Sequence, residues 1–163
     1  VNDYLRRPIY LDYNATTPLS SDVADAMRPF LSGVFGNPSS EHPFGAEAKL
    51  ALDNARRQIA NFLGASPEEI VFTSGGTESN NLAIKGVVHA AGGRRHVVCS
   101  AIEHPAVSEV VLHLEHEGVR VTTVQVDASG RVNPDDVASA MSDETVLVTV
   151  MLANNEVGTI QAI

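Results

Sequence analysis

Between residues 70 and 152 the sequence keeps changing its hydrophobic period, and this alternation limits the possible folds more than any other feature of the chain. Ile70-Val71-Phe72-Thr73 reads as a short strand, and a helical pattern runs from Glu78 to Ala91. His96–Ser100 is strand-like, Ala106–Glu117 helical, 119–126 strand-like again, and a helix is expected from Pro134 to about Met141. The last run, TVLVTVML at 145–152, is apolar on both of its alternating sets. Strands separated by helices of this length imply an α/β fold with a largely parallel sheet, because each crossover helix returns the chain to start the next strand in the same direction. A strand apolar on both sets belongs in a sheet covered by helices on both faces, which predicts a three-layer sandwich.

The individual helices carry start and stop signals. Asn133-Pro134-Asp135-Asp136 supplies a cap, a proline at the first helical position and acids in the first turn. In the Ala106–Glu117 helix, Val107, Val110, Val111 and Leu114 should face inward. Upstream the chain is richer in loops. SSDVADAMRPFL reads as a short helix capped by Ser20 or Ser21, with Val23, Ala26, Met27 and Phe30 on one face. A longer helix is predicted from about Ala46 to Leu63, ended by Gly64, with Leu52, Ala55, Ile59 and Phe62 as a buried stripe. The expected organisation is an N-terminal segment with its short helix over residues 1–30, then a larger α/β domain over 31–163 whose fold continues past Ile163.

Composition narrows the function classes. A chain of 163 residues, 44% hydrophobic and 19% charged, has the makeup of a globular domain. Its net charge of −9 argues against direct binding to nucleic acid or an anionic membrane. No apolar run approaches a membrane span, and VNDYLRRPIYLDYN has no signal-peptide core, so a cytoplasmic location is expected. Cys99 is the sole cysteine, which excludes an internal disulfide and suits a reducing compartment.

Ligands of parallel α/β sheets bind at the carboxyl ends of the strands. Three such ends are followed here by polar clusters: SGGTES after residue 73, AIEH after residue 100, and ANNEVG after residue 152. In SGGTES, a glycine-rich turn into a helix N-terminus can bind an anion, with Gly75 and Gly76 admitting a phosphate to the backbone and Thr77 adding a hydroxyl. It has neither the Gly-Lys-Ser/Thr of a nucleotide loop nor the G-x-G-x-x-G of a dinucleotide fold. The same residues also suit a plain tight turn in which Thr77 or Ser79 only caps the helix. His104 can stack on a planar ligand or move a proton, or it can simply cap the helix that follows. Asn155 can donate to a ligand oxygen, while Asn154 and Glu156 can shape the loop.

Five segments in order, IYLDYNATTP, GNPSSEHPFG, FTSGGTESNNLAIKG, IEHPAV and MLANNEVGTIQ, resemble the N-terminal part of the NifS/IscS-type cysteine desulfurases. These are pyridoxal 5'-phosphate (PLP) enzymes of aminotransferase fold type I, and selenocysteine lyase shares the same motifs. The resemblance implies that Gly76 and Thr77 hold the PLP phosphate. It also implies that His104 stacks on the pyridine ring and assists proton transfer, and that Asn155 binds the cofactor's phenolic oxygen near the substrate. Asn37 is implied at the mouth of the site, as a substrate contact. The family commonly has alanine where Gly76 stands; glycine keeps the backbone donor.

The implied activity is removal of sulfur from L-cysteine to give L-alanine and an enzyme persulfide, which passes to an acceptor protein, in a homodimer. The lysine that anchors the cofactor and the persulfide cysteine are expected beyond Ile163, so this chain alone is expected to be inactive. Lys49 and Lys85, the two lysines present, are poor substitutes. Selenocysteine lyase and a non-catalytic dimerising fragment are the alternatives. Cys99 is expected as a buried strand residue, His42 as a turn residue with a possible place at the site, and His113 and His116 as a solvated helix face. With no third ligand and no H-E-x-x-H, no metal site is expected.

Overall fold

The capping signals place most of the helices. In a computed structural model, residues 8–93 and 95–163 are described; the first seven residues of the N-terminal segment, and Arg94, lie outside the described residues. The chain divides into two units, Val1–Phe72 and Thr73–Ile163.

In the first unit, α1 (Ser21–Met27) begins where Ser20 Oγ accepts from the Val23 amide and passes into a 3-10 turn, Arg28–Leu31. The long helix α2 (Pro43–Leu63) starts three residues earlier than the sequence suggests, because Pro43 occupies the first helical position and His42 Nδ1 accepts from the Gly45 amide. It ends at Gly64, whose φ of 68° is left-handed. Between α1 and α2 the loop closes tightly on itself. A Cβ on Gly36 would lie 2.0 Å from the Phe44 carbonyl oxygen, and one on Gly45 would lie 2.2 Å from that of Ser40.

Two expectations for this unit need correction. The α2 stripe is not buried: Ile59 is 38% exposed and Phe62 is 88% exposed, and only Gly45 and Ala60 of the helix are buried. Among the described helices and strands of the unit, the 3-10 turn Pro67–Glu69 is the main one packed on α2, which leaves the stripe largely uncovered. Ile70–Thr73 is not a strand either. Ile70 has extended angles, φ −93° and ψ 119°, yet no described strand pairs with the segment. β-propensity makes a backbone extended; only a neighbour's hydrogen bonds make it a strand.

The second unit carries the α/β pattern. It contains α3 (Gly76–Ala90), β1 (His96–Ser100), α4 (Pro105–His116), β2 (Arg120–Val124), α5 (Pro134–Ala140) and β3 (Thr145–Thr149). The strands form a parallel sheet in the order β2-β1-β3, with Val97 level with Val121 and Leu147. The chain steps from β1 to β2, then returns past β1 to β3. Right-handed crossovers running in opposite directions put their helices on opposite faces, and the structure agrees. α3 and α4 pack together over the face bearing Val97 and Cys99, where Ile84, Val88, Val107, Val110, Val111 and Leu114 form the core. On the other face, Val137 of α5 shares a shallow apolar cavity with Val148 of β3. The architecture is therefore α/β in three layers.

β1, at the centre, is buried throughout, including the polar His96 and Ser100. His96 keeps both ring nitrogens bonded, Nδ1 to Thr145 Oγ1 at 2.7 Å and Nε2 to Thr122 Oγ1 at 2.9 Å. The expectation that β3 is buried on both faces is corrected: it is an outer strand of this sheet, mostly half-buried, with Val148 36% exposed. One helix of seven residues covers less of the second face than α3 and α4 cover of the first. Among the described residues no helix is long and apolar enough to cross a membrane.

Candidate active site

All three strand-end clusters identified in the sequence belong to the second unit, and two of them open into one groove. Gly75 caps α3 and offers no side chain, so the first-turn amides of Gly76 and Thr77 receive no side-chain acceptor. A Cβ at Gly75 or Gly76 would meet nothing within 4 Å, leaving this turn open. The surrounding hydroxyls are committed to the loop itself. Thr73 Oγ1 bonds Ser79 Oγ at 2.6 Å and the Gly75 carbonyl at 3.2 Å. Ser74 Oγ donates to Glu78. The Thr77 hydroxyl has no protein partner among the described residues; its backbone carbonyl accepts from Asn81 Nδ2 at 3.0 Å.

Glu78 places a carboxylate in the first turn of α3, where it could repel an incoming anion. Its Oε2 instead turns back to accept from the Ser74 amide at 2.7 Å and from Ser74 Oγ at 2.6 Å. Those two bonds lower its pKa below the usual glutamate value, so the charge is held on the loop.

His104 caps α4. Its Nδ1 accepts from the Ala106 amide at 3.0 Å, with the ring exposed. A neutral imidazole that accepts at Nδ1 carries its proton on Nε2. Capping and ligand contact, which are rivals in the sequence, are therefore compatible: one nitrogen holds the helix and the other is presented outward. Thr77 and His104 line the same open groove between α3 and α4, of about 400 Å³, with Asn81, Lys85, Glu109 and His113 further along it. Lys85 is eight residues past Thr77, about 12 Å along the helix axis. Lys49 pairs with Asp53 at 2.7 Å on the exposed side of α2, in the first unit.

The third cluster is drawn against the second. Asn154 Nδ2 donates to the Ile102 carbonyl at 3.0 Å, while its Oδ1 accepts from the amides of Glu156 and Val157 at 2.9 Å each. Asn154 thus shapes the loop, and Asn155 stands exposed at its turn, beside the segment that carries His104. Sequence reasoning passed over Glu103. Its Oε1 accepts from Ser100 Oγ and from the Met151 amide at 2.6 Å. Asn37 belongs to the first unit, where its Oδ1 accepts from the Ser39 amide at 2.9 Å to form a side-chain turn.

The remaining candidates take structural places. Cys99 is buried in the core, and burial raises its thiol pKa. His113 and His116 are exposed on α4, with His113 Nε2 3.4 Å from Glu117, and no group suited to a metal ion occurs among the described residues. His42 caps α2.

Comparison with known proteins identifies the family. The aminotransferase class-V family pattern matches residues 9–163. Over 98% of its length the chain is 51% identical to a relative named cysteine desulfurase IscS from Dictyoglomus turgidum, of which it covers 41%. It superimposes on a solved NifS-like protein with a TM-score of 0.90 at 41% identity, covering 94% of this chain and 43% of that one. A solved structure described as SspA in complex with cysteine gives a TM-score of 0.88 at 42% identity, covering 94% and 44%. The chain spans about 40% of the length of the curated IscS relatives it matches. On the match across nearly its whole length, the chain belongs to the aminotransferase class-V family.

Proposed function

We propose that this chain forms the phosphate- and ring-binding part of a PLP-dependent cysteine desulfurase acting on L-cysteine. The observation that carries the reading is the groove in which an uncapped helix N-terminus, the unpartnered Thr77 hydroxyl and the outward nitrogen of His104 come together. The donor set suits a phosphate dianion: amides and a hydroxyl at the positive end of a 15-residue helix, with the nearest carboxylate turned onto Ser74. The groove's size falls within the range of cofactor sites.

In this reading Gly76 and Thr77 hold the phosphate, and His104 lies against the ring. With Nδ1 engaged by the Ala106 amide, His104 presents Nε2–H as a hydrogen-bond donor toward the ring. Asn155 orients the ring oxygen, and Asn37, whose Oδ1 accepts from the Ser39 amide, is the candidate substrate contact. Bound PLP supplies the electron sink that lets charge develop on the substrate's carbon. A cytoplasmic homodimer that passes sulfur to an acceptor protein completes the proposal, with the residues that finish the chemistry lying outside this chain. The names of the relatives support the substrate and the reaction.

The test is PLP affinity. Removing one charge-assisted donor is worth about 1.5–3 kcal/mol, so Thr77→Ala should weaken PLP binding roughly 10- to 100-fold, and Thr77→Ser should restore most of it. Unchanged affinity in Thr77→Ala removes the phosphate from this turn. Absence of sulfide and alanine from L-cysteine in the complete enzyme would refute the reaction.

A further inference from the structure

We propose that Glu103 is a positioning residue whose carboxylate ties the loop carrying His104 to the loop carrying Asn155, fixing both groups in one geometry toward the cofactor. This rests on the reading of His104 and Asn155 as cofactor contacts. His104 comes from the end of β1 and Asn155 from beyond the end of β3, so nothing local sets their separation. The half-buried Glu103 spans the gap: Oε1 accepts from Ser100 Oγ on its own side and from the Met151 amide, 48 residues away, at 2.6 Å. A second tie runs in the opposite sense, from Asn154 Nδ2 to the Ile102 carbonyl at 3.0 Å. Asn154 Oδ1 then closes the turn by accepting from the Glu156 and Val157 amides. Asn155 is therefore flanked by clamped neighbours, and His104 directly follows Glu103, which holds Met151 three residues before Asn154.

A carboxylate suits this task because one oxygen can accept two donors without offering a proton of its own. Its charge strengthens both bonds in a partly desolvated setting. The phosphate turn is held separately, by Thr73, Ser74, Glu78 and Ser79, with no bond to Glu103. Loosening Glu103 should therefore disturb the ring contacts and spare the phosphate contacts.

The experiment compares Glu103→Ala, Glu103→Asp and Glu103→Gln in the PLP-loaded protein, reading amide hydrogen exchange and the visible absorption of bound PLP. His104→Ala and Asn155→Ala serve as spectral references. In Glu103→Ala, amides at 151–157 and 102–104 should exchange at least roughly 10-fold faster, with those of β1 and the first turn of α3 within about twofold. The absorption band should shift in the same sense as in the references, while PLP affinity stays within about threefold, less than the loss caused by removing a phosphate donor. Glu103→Gln, which keeps an acceptor of the same reach, should restore the band; Glu103→Asp, one methylene shorter, should not, and it serves as the reading should the alanine variant fail to fold.

Unchanged exchange at 151–157 overturns the proposal, as does faster exchange spread evenly over β1 and α4. A spectrum that moves in the references but not in Glu103→Ala overturns the positioning role alone. Silent references together with a silent Glu103→Ala overturn it by removing the site reading on which it rests.

Discussion

A close backbone approach in the first unit yields a prediction whose sign is opposite to helix propensity. Gly45 is the third residue of α2, and alanine is favoured over glycine inside a helix by up to about 1 kcal/mol. A Cβ there would lie 2.2 Å from the Ser40 carbonyl oxygen, 2.7 Å from that of Asn37 and 2.8 Å from Ser40 Cβ. The first two are backbone atoms, and the Ser40 amide to Asn37 carbonyl bond at 2.9 Å locks them together. Relief to ordinary contact needs a shift of more than 1 Å, which opens the 37–40 turn. Overpacking of this kind costs about 1–3 kcal/mol, and each turn hydrogen bond lost adds about 1 kcal/mol. The clash outweighs propensity, and Gly45→Ala should lose about 2–4 kcal/mol. Gly86, within α3 and with nothing within 4 Å of the place its Cβ would take, is the control: Gly86→Ala should gain about 0.5–1 kcal/mol. Urea unfolding followed by circular dichroism reads both, and limited proteolysis should cut the Gly45→Ala protein early between residues 36 and 45. Equal or greater stability of Gly45→Ala would refute the packing argument.

Three further outcomes are expected. His104→Gln should lower turnover of the complete enzyme by roughly 100-fold, the range for general acid–base groups, and turnover within about twofold of the parent would reduce His104 to its capping role. His96, desolvated and near Arg120, has a pKa lowered from 6.5 in the folded state. Its contribution is therefore present above that value and lost as pH falls below it, since the unfolded chain then binds the proton more readily. Stability measured from pH 7.5 downward should decline by at most about 1.4 kcal/mol per pH unit from this group, and His96→Gln should flatten that slope. Cys99, buried with a raised pKa, should resist thiol reagents in the native state and label at once in denaturant; rapid native labelling would contradict its place in the core.

What was legible in the sequence was what is settled locally. Asn133-Pro134-Asp135-Asp136 specifies a helix start within four residues, and Asn133 Oδ1 does accept from the Asp135 amide at 3.0 Å. The inward set of α4 was readable because its partners on α3 and β1 are present to bury it. The α2 stripe and Ile70–Thr73 show the same patterns without a described neighbour, so period alone overstated their burial and pairing. At the candidate site, Thr77 and His104 stood out because strand ends and helix starts leave marks in sequence. Glu103 did not, because its meaning lies in the Met151 amide, and a backbone donor carries no side-chain signature.

The two ties between the β1 and β3 loops span 48 and 52 residues of chain. A ribosome adding about 5–20 residues per second reaches the second partner roughly 2–10 seconds after the first. During that interval α4 joins α3 and β1, which are already synthesised, and their contacts can form. The His104 loop must wait for β3. On the proposed reading of the site, the phosphate cradle would mature early on the nascent chain and the ring contacts late, which would make docking of β3 the checkpoint before which a cofactor could be held by one end only.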